Sequence, residues 1–495
     1  MHESNSEHAY LAFDLGAESG RAILARLIAG VLQIEEVHRF SNEPVEFGGS
    51  LHWDVSRLWL EMGRALDGVR HIRLAGIGVD TWGVDYALLD ERGELLQNPY
   101  HYRDSRTQGV MEEVFRLVPR EQIYSRTGIQ FMPINTLYQL YATKKRAPGL
   151  LNAAHRFLMV PDLFNYWLTG EIACEFTNAT TTQMMDPRTR AWAKDLVDQL
   201  GLPSRLFPPI VEPGSLLGQL RRELTGNSAL VGTSVIAPAC HDTGSAVAAI
   251  SARDGTAFLS SGTWSLLGTE LAAPVISNEA LQLNFTNEGG VNGTTRLLKN
   301  IMGLWMLRGC RQSWAAEGRS FKYGQLMEFA AKAKPFQHLV DPDDPSFLSP
   351  ANMCAAVDSF CRKTQQPAPA EPGAYVRTVL ESLAMKYRLV LKKLEILIRR
   401  PIEQIRVLGG GSKNPLLNQF TANATGRRVL AGPVEATALG NVGIQILAKG
   451  HAASLAEVRA MIDRSFPTEV IEPFDTGRWD DEAPRFEQYC GEIHA

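Results

Sequence analysis

Apolar residues follow two spacings along this chain of 495 residues, and the two spacings alternate from one end to the other. Short apolar and β-branched runs predict strands, at residues 10–15, 21–27, 31–38, 74–79 and 405–408. Apolar residues three and four positions apart predict helices, at residues 54–69, 301–313, 375–399, 414–425, 436–448 and, with loops at 126–128 and 161–162, over 108–167. Strands that alternate with helices are typical of the α/β class.

A chain of this length exceeds one hydrophobic core and is expected to divide into domains. A proline-rich stretch over 203–213 precedes a new strand near Val231, which indicates a boundary close to 225–238. We therefore predict an N-terminal domain, a C-terminal domain and a short tail, at residues 1–238, 239–475 and 476–495.

A pattern of strand, small-residue turn and strand occurs at 13–24 and again at 258–268. Each copy opens a half of comparable size. The pattern predicts two similar lobes whose hairpin turns face a shared cleft and grip the phosphates of a nucleotide from two sides. Because hairpins are common, two unrelated hairpins remain the alternative at this point.

The composition is that of an ordinary globular protein, with 45% hydrophobic residues, 21% charged residues and a formal net charge of −4. No dense basic run is present, so nucleic acid and anionic membranes are poor candidates for the main partner. The polar N-terminus lacks a signal-peptide layout, and no apolar run approaches the length of a membrane helix. Six scattered cysteines without a C-x-x-C pair fit a reducing compartment, so we expect a cytoplasmic protein.

One acid stands out because of its position in the pattern. An apolar run ends at Ala239, and Asp242 follows on a turn of small residues, Thr-Gly-Ser, that continues into a helix. A carboxylate at a strand end suits general-base chemistry beside a phosphate. The same spacing also suits an ordinary helix N-cap, and the local pattern does not choose between the two. The chain contains no P-loop, no G-x-G-x-x-G after a strand and no G-x-S-x-G motif.

Six segments in order resemble the FGGY carbohydrate kinases, and together they extend over nearly the whole chain. They are D-L-G-A-E-S-G-R at 14–21, G-V-D-T-W-G-V-D at 78–85, C-H-D-T-G-S-A-V at 240–247, S-S-G-T-W-S-L at 260–266, K-N-I-M-G-L-W at 299–305 and V-L-G-G-G-S-K-N at 407–414. The resemblance implies the actin-like sugar-kinase ATPase fold, with two α/β lobes, each on a mixed five-stranded sheet, around a deep cleft. It is greatest to the members that use ATP to phosphorylate L-rhamnulose at O1.

The resemblance also implies roles for individual residues. Asp242 is implied as the general base for the O1 hydroxyl, and Asp14 as the acid associated with Mg²⁺ through water. The implied sugar-binding residues are Asp242 with Gly83, His241, Thr243 and Asn300. The implied nucleotide-binding residues are Ala17, Glu18, Ser19, Gly20, Arg21, Thr263, Gly410 and Gly411.

Two positions depart from the family pattern. Arg308 stands where some members carry a glutamine near the nucleotide, and since an arginine suits phosphate groups we expect Arg308 to contact ATP. Ser412 follows the triple glycine in place of a cysteine, so no local disulfide is expected. Neither departure affects the implied base.

Two alternatives stay open. One is a kinase for another ketose, such as fuculose or a pentulose, because the motifs indicate phosphoryl transfer more sharply than they indicate which hydroxyl groups are bound. The other is a non-catalytic regulator on the same fold that responds to ATP or a sugar. Asp242 in its motif argues against the regulator. The oligomeric state, monomer or homodimer, is not predicted.

Overall fold

The computed structural model describes residues 7–251 and 255–490. Within them the chain forms two compact units that are not contiguous in sequence. The first unit contains residues 7–251, 270–297 and 436–467, and the second contains 255–269, 298–435 and 468–490. The predicted domains at 1–238, 239–475 and 476–495 divide the sequence into continuous segments, whereas each of these units combines separate segments. That domain division stays a prediction.

The strands follow the apolar runs of the sequence. They are β1 His8–Leu15, β2 Ser19–Ile28, β3 Val31–Ser41, β4 Val45–Phe47, β5 Ser50–His52, β6 Leu74–Thr81, β7 Tyr86–Leu89, β8 Arg156–Met159, β9 Cys174–Glu175, β10 Met185–Asp186, β11 Ala191–Trp192, β12 Ile210–Val211, β13 Leu216–Gln219, β14 Ser234–Ile236, β15 Thr256–Ser261, β16 Trp264–Leu271, β17 Thr286–Gly289, β18 Thr295–Met302, β19 Gln404–Leu408, β20 Arg428–Ala431 and β21 Glu469–Ile471.

The helices fill most of the remaining chain. They are α1 Val55–Val69, α2 Val110–Leu117, α3 Arg120–Thr127, α4 Thr136–Arg146, α5 Pro148–Ala153, α6 Val160–Thr169, α7 Phe176–Thr180, α8 Lys194–Gln199, α9 Arg222–Thr225, α10 Asp242–Ala248, α11 Asn278–Gln282, α12 Trp305–Ala316, α13 Tyr323–Lys332, α14 Met353–Lys363, α15 Pro372–Ile398, α16 Pro415–Thr425, α17 Ala436–Ala448, α18 Leu455–Ser465 and α19 Thr476–Tyr489.

The sheet of the first unit has the strand order β13-β14-β6-β1-β2-β3. Strand β1 pairs antiparallel with β2 and parallel with β6, and β6 pairs parallel with β14. Strand β1 is buried from its second residue to its end. A strand covered on both faces is expected to be continuously apolar, which explains the run Tyr-Leu-Ala-Phe before Asp14.

Six strands of the other large sheet, which lie wholly or partly in the second unit, have the order β18-β16-β15-β19-β20-β21. Here β15 pairs antiparallel with β16 and parallel with β19, and β19 pairs parallel with β20. The edge strands β13 and β21 both pair antiparallel with their neighbours. The two sheets, of six and seven strands, thus repeat one topology over six strands each, where the resemblance implies five.

Most predicted elements are present, but not every prediction is correct. Within the segment predicted to be helical over 108–167, residues 156–159 form strand β8, and α3 extends through residues 126 and 127, where a loop was predicted. The segment predicted to be a helix from residue 301 begins as strand, because β18 continues to Met302 and α12 starts only at Trp305. Pro161 and Asp162 lie in the first turn of α6 instead of a loop, where a proline is well tolerated since its missing N–H has no helical partner. Across residues 7–251 and 255–490, no helix combines the length and the apolar character that a bilayer crossing requires.

Helix α17 packs closely on α10 in the first unit. A Cβ on Gly440 would lie 1.7 Å from the carbonyl oxygen of Ser245, so only glycine permits this approach. The contact brings polar residues of α17 against the central strands. Gln445 donates to the carbonyl oxygen of Leu11 (3.1 Å) and to Oδ1 of Asn441 (2.7 Å).

Candidate active site

Two acids lie side by side at the carboxyl ends of the central strands of the first unit. Asp14 near the end of β1 is paired in register with Asp80 near the end of β6. Arg21 faces Asp14 across the first hairpin, on β2, and donates to its Oδ2. Of the predicted phosphate residues, Ala17 and Glu18 lie in the turn between these strands, and Ser19 and Gly20 are the first residues of β2.

Asp80 is fully buried, and its Oδ2 accepts a hydrogen bond from Asn441 (2.6 Å). Among the described residues no group donates to its Oδ1. Burial raises the pKa of Asp80 well above its ordinary value, and the charges of Asp14 and Asp242 raise it further, against the opposing effects of Asn441 and Arg21. The three carboxyl groups therefore lie close enough to interact electrostatically.

Asp242 is the first residue of α10, just beyond the carboxyl end of β14. The preceding turn is joined to β6, since the N–H of Thr81 donates to the carbonyl of Cys240 (2.9 Å). The N-cap position is His241, whose side chain makes no capping hydrogen bond. The alternative in which Asp242 is an ordinary N-cap is therefore wrong.

The two oxygens of the Asp242 carboxylate have different surroundings. Oδ1 accepts from the backbone N–H of Thr243 and from its hydroxyl (3.1 Å), and Nε2 of His241 lies 3.4 Å away. No described residue donates to Oδ2, and the side chain is 31% exposed. One oxygen is thus fixed by the protein while the other remains available to accept a proton from a bound hydroxyl group.

A buried glutamate holds the backbone of this turn, and the sequence analysis missed it. Oε2 of Glu175 accepts from the N–H of Cys240 (2.9 Å) and from the hydroxyl of Thr177 (2.6 Å). The hydroxyl of Thr177 accepts in turn from the N–H of His241 (3.2 Å). Burial raises the pKa of Glu175 to about 7. The sequence shows that an acid lies two residues before Thr177, but it does not indicate that this acid contacts residue 240, which is 65 positions away.

Two further charged residues behind His241 also escaped the sequence analysis. Arg296, on β18, is completely buried, and its Nη2 lies 3.1 Å from Nδ1 of His241. Glu288, on β17, lies 3.3 Å from both Arg296 Nη2 and His241 Nδ1. An arginine within an apolar strand run was the available signal.

The predicted sugar position Gly83 follows β6 in the first unit. A Cβ there would lie 3.1 Å from Thr181, whose hydroxyl accepts from the N–H of Val84 (3.1 Å). Val84 has φ of +65°, a conformation that a β-branched residue rarely adopts. The surrounding contacts must hold this backbone in place, as they often do near functional sites.

The second unit carries a neutral hairpin, with Thr263 in the turn between β15 and β16. The N–H groups of Gly303 and Trp305 donate to the carbonyl of Thr263 (3.2 Å each), and that of Leu304 donates to Gly262 (2.9 Å). A Cβ on Gly411 would lie 2.0 Å from Oγ of Ser261, whereas one on Gly410 would meet nothing within 4 Å. The turn that contains the three glycines at 409–411, which we call the glycine turn, is therefore in contact with the hairpin of β15 and β16.

The structure groups the predicted residues within each unit. In the first unit Asp14 and Arg21 lie at one end of the hairpin, and His241, Asp242 and Thr243 lie in the turn joined to β6. In the second unit Asn300 lies on β18, two residues before its end, and Arg308 lies in the first turn of α12. The ligands assigned to these residues stay predictions.

Family models match both halves of the chain. The N-terminal domain model of the FGGY family of carbohydrate kinases matches residues 9–249, and the C-terminal domain model matches residues 257–449. The chain belongs to the FGGY family of carbohydrate kinases. The predicted resemblance and the prediction of a carbohydrate kinase are thereby confirmed.

Curated relatives cover nearly the whole chain. A rhamnulokinase of Bacteroides thetaiotaomicron is 46% identical over 95% of this chain and 97% of the relative. A rhamnulokinase of Bacillus subtilis is 39% identical over 95% of this chain and 96% of the relative.

Solved structures of sugar kinases share the fold. A ligand-bound xylulose kinase from Lactobacillus acidophilus has a TM-score of 0.77 at 17% identity, and covers 98% of this chain and 97% of its own. The Plasmodium falciparum glycerol kinase with ADP has a TM-score of 0.76 at 15% identity, with both chains covered completely. At these identities the likeness concerns the fold alone, and it confirms the predicted actin-like α/β class.

Proposed function

We propose that this chain transfers the terminal phosphoryl group of ATP to O1 of L-rhamnulose. The observation that carries the proposal is the likeness to curated rhamnulokinases, at 39–46% identity over about 95% of the chain. The site adds a chemical reason, because phosphoryl transfer to a sugar needs a carboxylate that can take the hydroxyl proton. Six free, buried cysteines and an ATP substrate support a cytoplasmic location.

In this proposal Asp242 is the general base. Its Oδ1 is held by Thr243 and lies 3.4 Å from Nε2 of His241, and its Oδ2, to which no described residue donates, accepts the proton of the O1 hydroxyl as the oxygen attacks phosphorus. Gly83, His241, Thr243 and Asn300 bind the sugar. In this arrangement the protein aligns the attacking hydroxyl group with the phosphoryl group, which is the main contribution of a phosphoryl-transfer enzyme to catalysis.

The acids of the first unit fit a divalent cation. Asp14 and Asp242 both raise the pKa of buried Asp80, so added positive charge would be stabilised beside them. Among the described residues no three acidic, histidine or cysteine side chains form a direct metal-binding group. Mg²⁺ suits such a place, because it takes one or two carboxylates and keeps its waters. We propose that Asp14 holds Mg²⁺ through water, and the bound ion supplies charge neutralisation for the phosphates.

We propose two sets of nucleotide-contacting residues, one in each unit. Residues 17–21 at the start of the first hairpin offer backbone groups and the small side chains of Ala17, Ser19 and Gly20. Thr263 of the second turn and Gly410 with Gly411 offer backbone groups that ATP can approach closely. Arg308 adds a cation to this set. Arg21 is itself engaged with Asp14, so its proposed role includes holding that acid in place.

The test measures ADP release from ATP and Mg²⁺ with L-rhamnulose, for the wild type and for Asp242→Asn. We expect kcat to fall about 10²- to 10⁴-fold, the usual contribution of a general base. The melting temperature should hold, because asparagine still accepts from Thr243. Asp54→Asn is the matched control, since Asp54 caps α1 by accepting from the N–H of Arg57 (3.0 Å) and asparagine caps as well.

Retained activity in Asp242→Asn would refute the base assignment. A panel of ketoses that includes L-fuculose and pentuloses tests the substrate, and a higher kcat/KM for another ketose would refute L-rhamnulose while leaving the kinase class intact. Tight sugar binding without ADP release would favour the regulator instead.

A further inference from the structure

Arg296 is an unusual residue to find in the core of the first unit. Its side chain is fully buried, and its Nε donates to the carbonyl oxygen of Gly289 (2.7 Å). Its Nη1 makes no hydrogen bond to any described residue. A buried guanidinium with an unsatisfied nitrogen destabilises a fold, so its presence calls for a purpose other than stability.

The contacts of Arg296 determine which nitrogen of His241 carries a proton. Arginine offers only donors and stays charged at every accessible pH. Because Nη2 of Arg296 lies 3.1 Å from Nδ1 of His241, that ring nitrogen must accept and therefore carries no proton. Glu288, at 3.3 Å from the same nitrogen, would favour the opposite tautomer, but it is also 3.3 Å from the obligate donor Nη2. Because Nη2 of Arg296 is closer to Nδ1 than Glu288 is, we assign Nδ1 of His241 as an acceptor.

A neutral imidazole without a proton on Nδ1 carries it on Nε2. That nitrogen lies 3.4 Å from Oδ1 of Asp242, the carboxylate oxygen that Thr243 already holds, so a proton on Nε2 is within reach of this oxygen. The acidic groups that act on Arg296 of β18 are Glu288 on β17, Glu175 on β9, Asp242 on α10 and Glu270 on β16. The carboxylates balance the guanidinium charge.

We propose that Arg296 is a positioning residue that fixes His241 in its Nε2–H tautomer, so that His241 donates to Oδ1 of Asp242 and leaves Oδ2 to the substrate. The inference rests on the proposed role of Asp242 as base, and it deepens that role by explaining how one oxygen of the carboxylate is kept in place. Arg296 itself touches neither substrate in this scheme. It acts on the reaction only through the imidazole and the carboxylate.

Two substitutions of His241 form a matched pair. The amide of glutamine reaches the place of Nε2 and can donate to Asp242, whereas the amide of asparagine reaches only the place of Nδ1. We expect kcat of His241→Asn to lie about ten- to a hundredfold below that of His241→Gln, the usual effect of a hydrogen bond to a charged group. Equal losses in both variants, at unchanged melting temperature, would overturn the proposal.

A direct measurement leaves Arg296 intact. Nitrogen NMR of the wild type labelled in its 11 histidines, with His241→Gln to assign the signal, reports the protonation of each ring nitrogen. We expect an unprotonated Nδ1 and a protonated Nε2 on His241. A protonated Nδ1 at neutral pH would overturn the proposal even if Asp242→Asn abolishes activity. The expected tautomer with an active Asp242→Asn would instead refute the base assignment alone.

Discussion

The two hairpins of this protein occupy equivalent places in sheets of the same strand order, yet they differ in chemistry. The first hairpin carries charge, since Asp14 faces Arg21 and lies beside Asp80. The second is neutral, with Ser, Gly and Thr in the turn at 261–263. The same strand order thus places carboxylate groups at the strand ends of the first unit and small, uncharged residues at those of the second. Function here depends on the residues at the strand ends, while the frame stays constant.

The hairpins also differ in what fastens them. A side chain and a backbone group both hold the first turn, because Nδ2 of Asn42 donates to the carbonyl of Gly16 (2.8 Å) and the backbone N–H of Asn42 donates to that of Glu18 (3.0 Å). Backbone groups tie the second turn, through the N–H groups of residues 303–305. A hydrogen bond made by a side chain can be removed by substituting that residue. A hydrogen bond between backbone groups can be disturbed only by a larger side chain that displaces the backbone. We therefore expect the first hairpin to be sensitive to removal of a side chain and the second to be sensitive to the addition of one.

Of the substitutions that compare the two hairpins, the one that removes the acidic charge of the first hairpin should have the largest effect. Asp14→Asn removes the acid proposed to hold Mg²⁺, and kcat/KM should fall about 10²- to 10³-fold, the usual effect of losing one electrostatic contact to a transition state. The apparent affinity for Mg²⁺ should fall as well. Steady-state kinetics across Mg²⁺ concentrations checks both.

Asp90→Asn serves as the matched control, because Asp90 lies in a surface turn of the same unit and asparagine can still accept from the N–H of Arg92 (2.8 Å). Unaltered Mg²⁺ dependence in Asp14→Asn would mean that the charge on the first hairpin has no part in the chemistry.

The next prediction concerns buried charge in the two units. In the second unit the buried ammonium group of Lys386 lies between Asp341 (2.7 Å) and Asp343 (3.0 Å) and is therefore paired. In the first unit burial raises the pKa of Glu175 to about 7. Between pH 4.5 and 7 the folded state then keeps a proton that the unfolded state has lost, so Glu175 lowers stability as pH rises through this window, by at most about 3 kcal/mol.

Melting curves of the wild type and Glu175→Gln across pH test this. The melting temperature of the wild type relative to the variant should fall between pH 4.5 and 7 and stay constant above pH 7, which provides an internal control. Parallel curves throughout would show that Glu175 is charged in the fold already at acidic pH.

Local patterns were enough to predict the frame. Helix α17 has the bounds that its apolar spacing predicts, 436–448. Asp54, the first residue of the segment predicted to be helical, caps α1 by accepting from the N–H of Arg57. The second hairpin pairs Phe258 with Gly268, the two ends of the predicted repeat. Each of these features depends on residues within a few positions of one another, where periodicity and capping chemistry apply.

The rest of the site depends on contacts between distant segments. Asn441 donates to Asp80 across 361 residues, and Arg296 contacts His241 across 55. No local spacing encodes such pairs. The start of α12 was predicted wrongly for a related reason, because pairing within the sheet extends β18 to Met302 against the helical pattern.

A smaller effect is expected from crowding the second hairpin. Gly411→Ala places a Cβ 2.0 Å from Oγ of Ser261 and 2.9 Å from its carbonyl oxygen, so the turn must shift, at a cost of about 1–3 kcal/mol in the free energy of unfolding. Gly410→Ala is the matched control, since its Cβ meets nothing within 4 Å. Thermal unfolding and the KM for ATP check both variants. Equal melting temperatures would contradict the close packing of the glycine turn on the hairpin.

The smallest expected effect comes from loosening the first hairpin. Asn42→Ala removes the donor to the carbonyl of Gly16, while the backbone N–H of residue 42 still donates to Glu18 (3.0 Å). Losing one buried hydrogen bond should lower the free energy of unfolding by about 1 kcal/mol. The KM for ATP should rise a few fold, with the KM for the sugar unchanged, because only the phosphate turn is loosened. Ser41→Ala, an exposed neighbour on β3, is the control, and an equal KM for ATP in both variants would show that the first turn needs no side-chain tie.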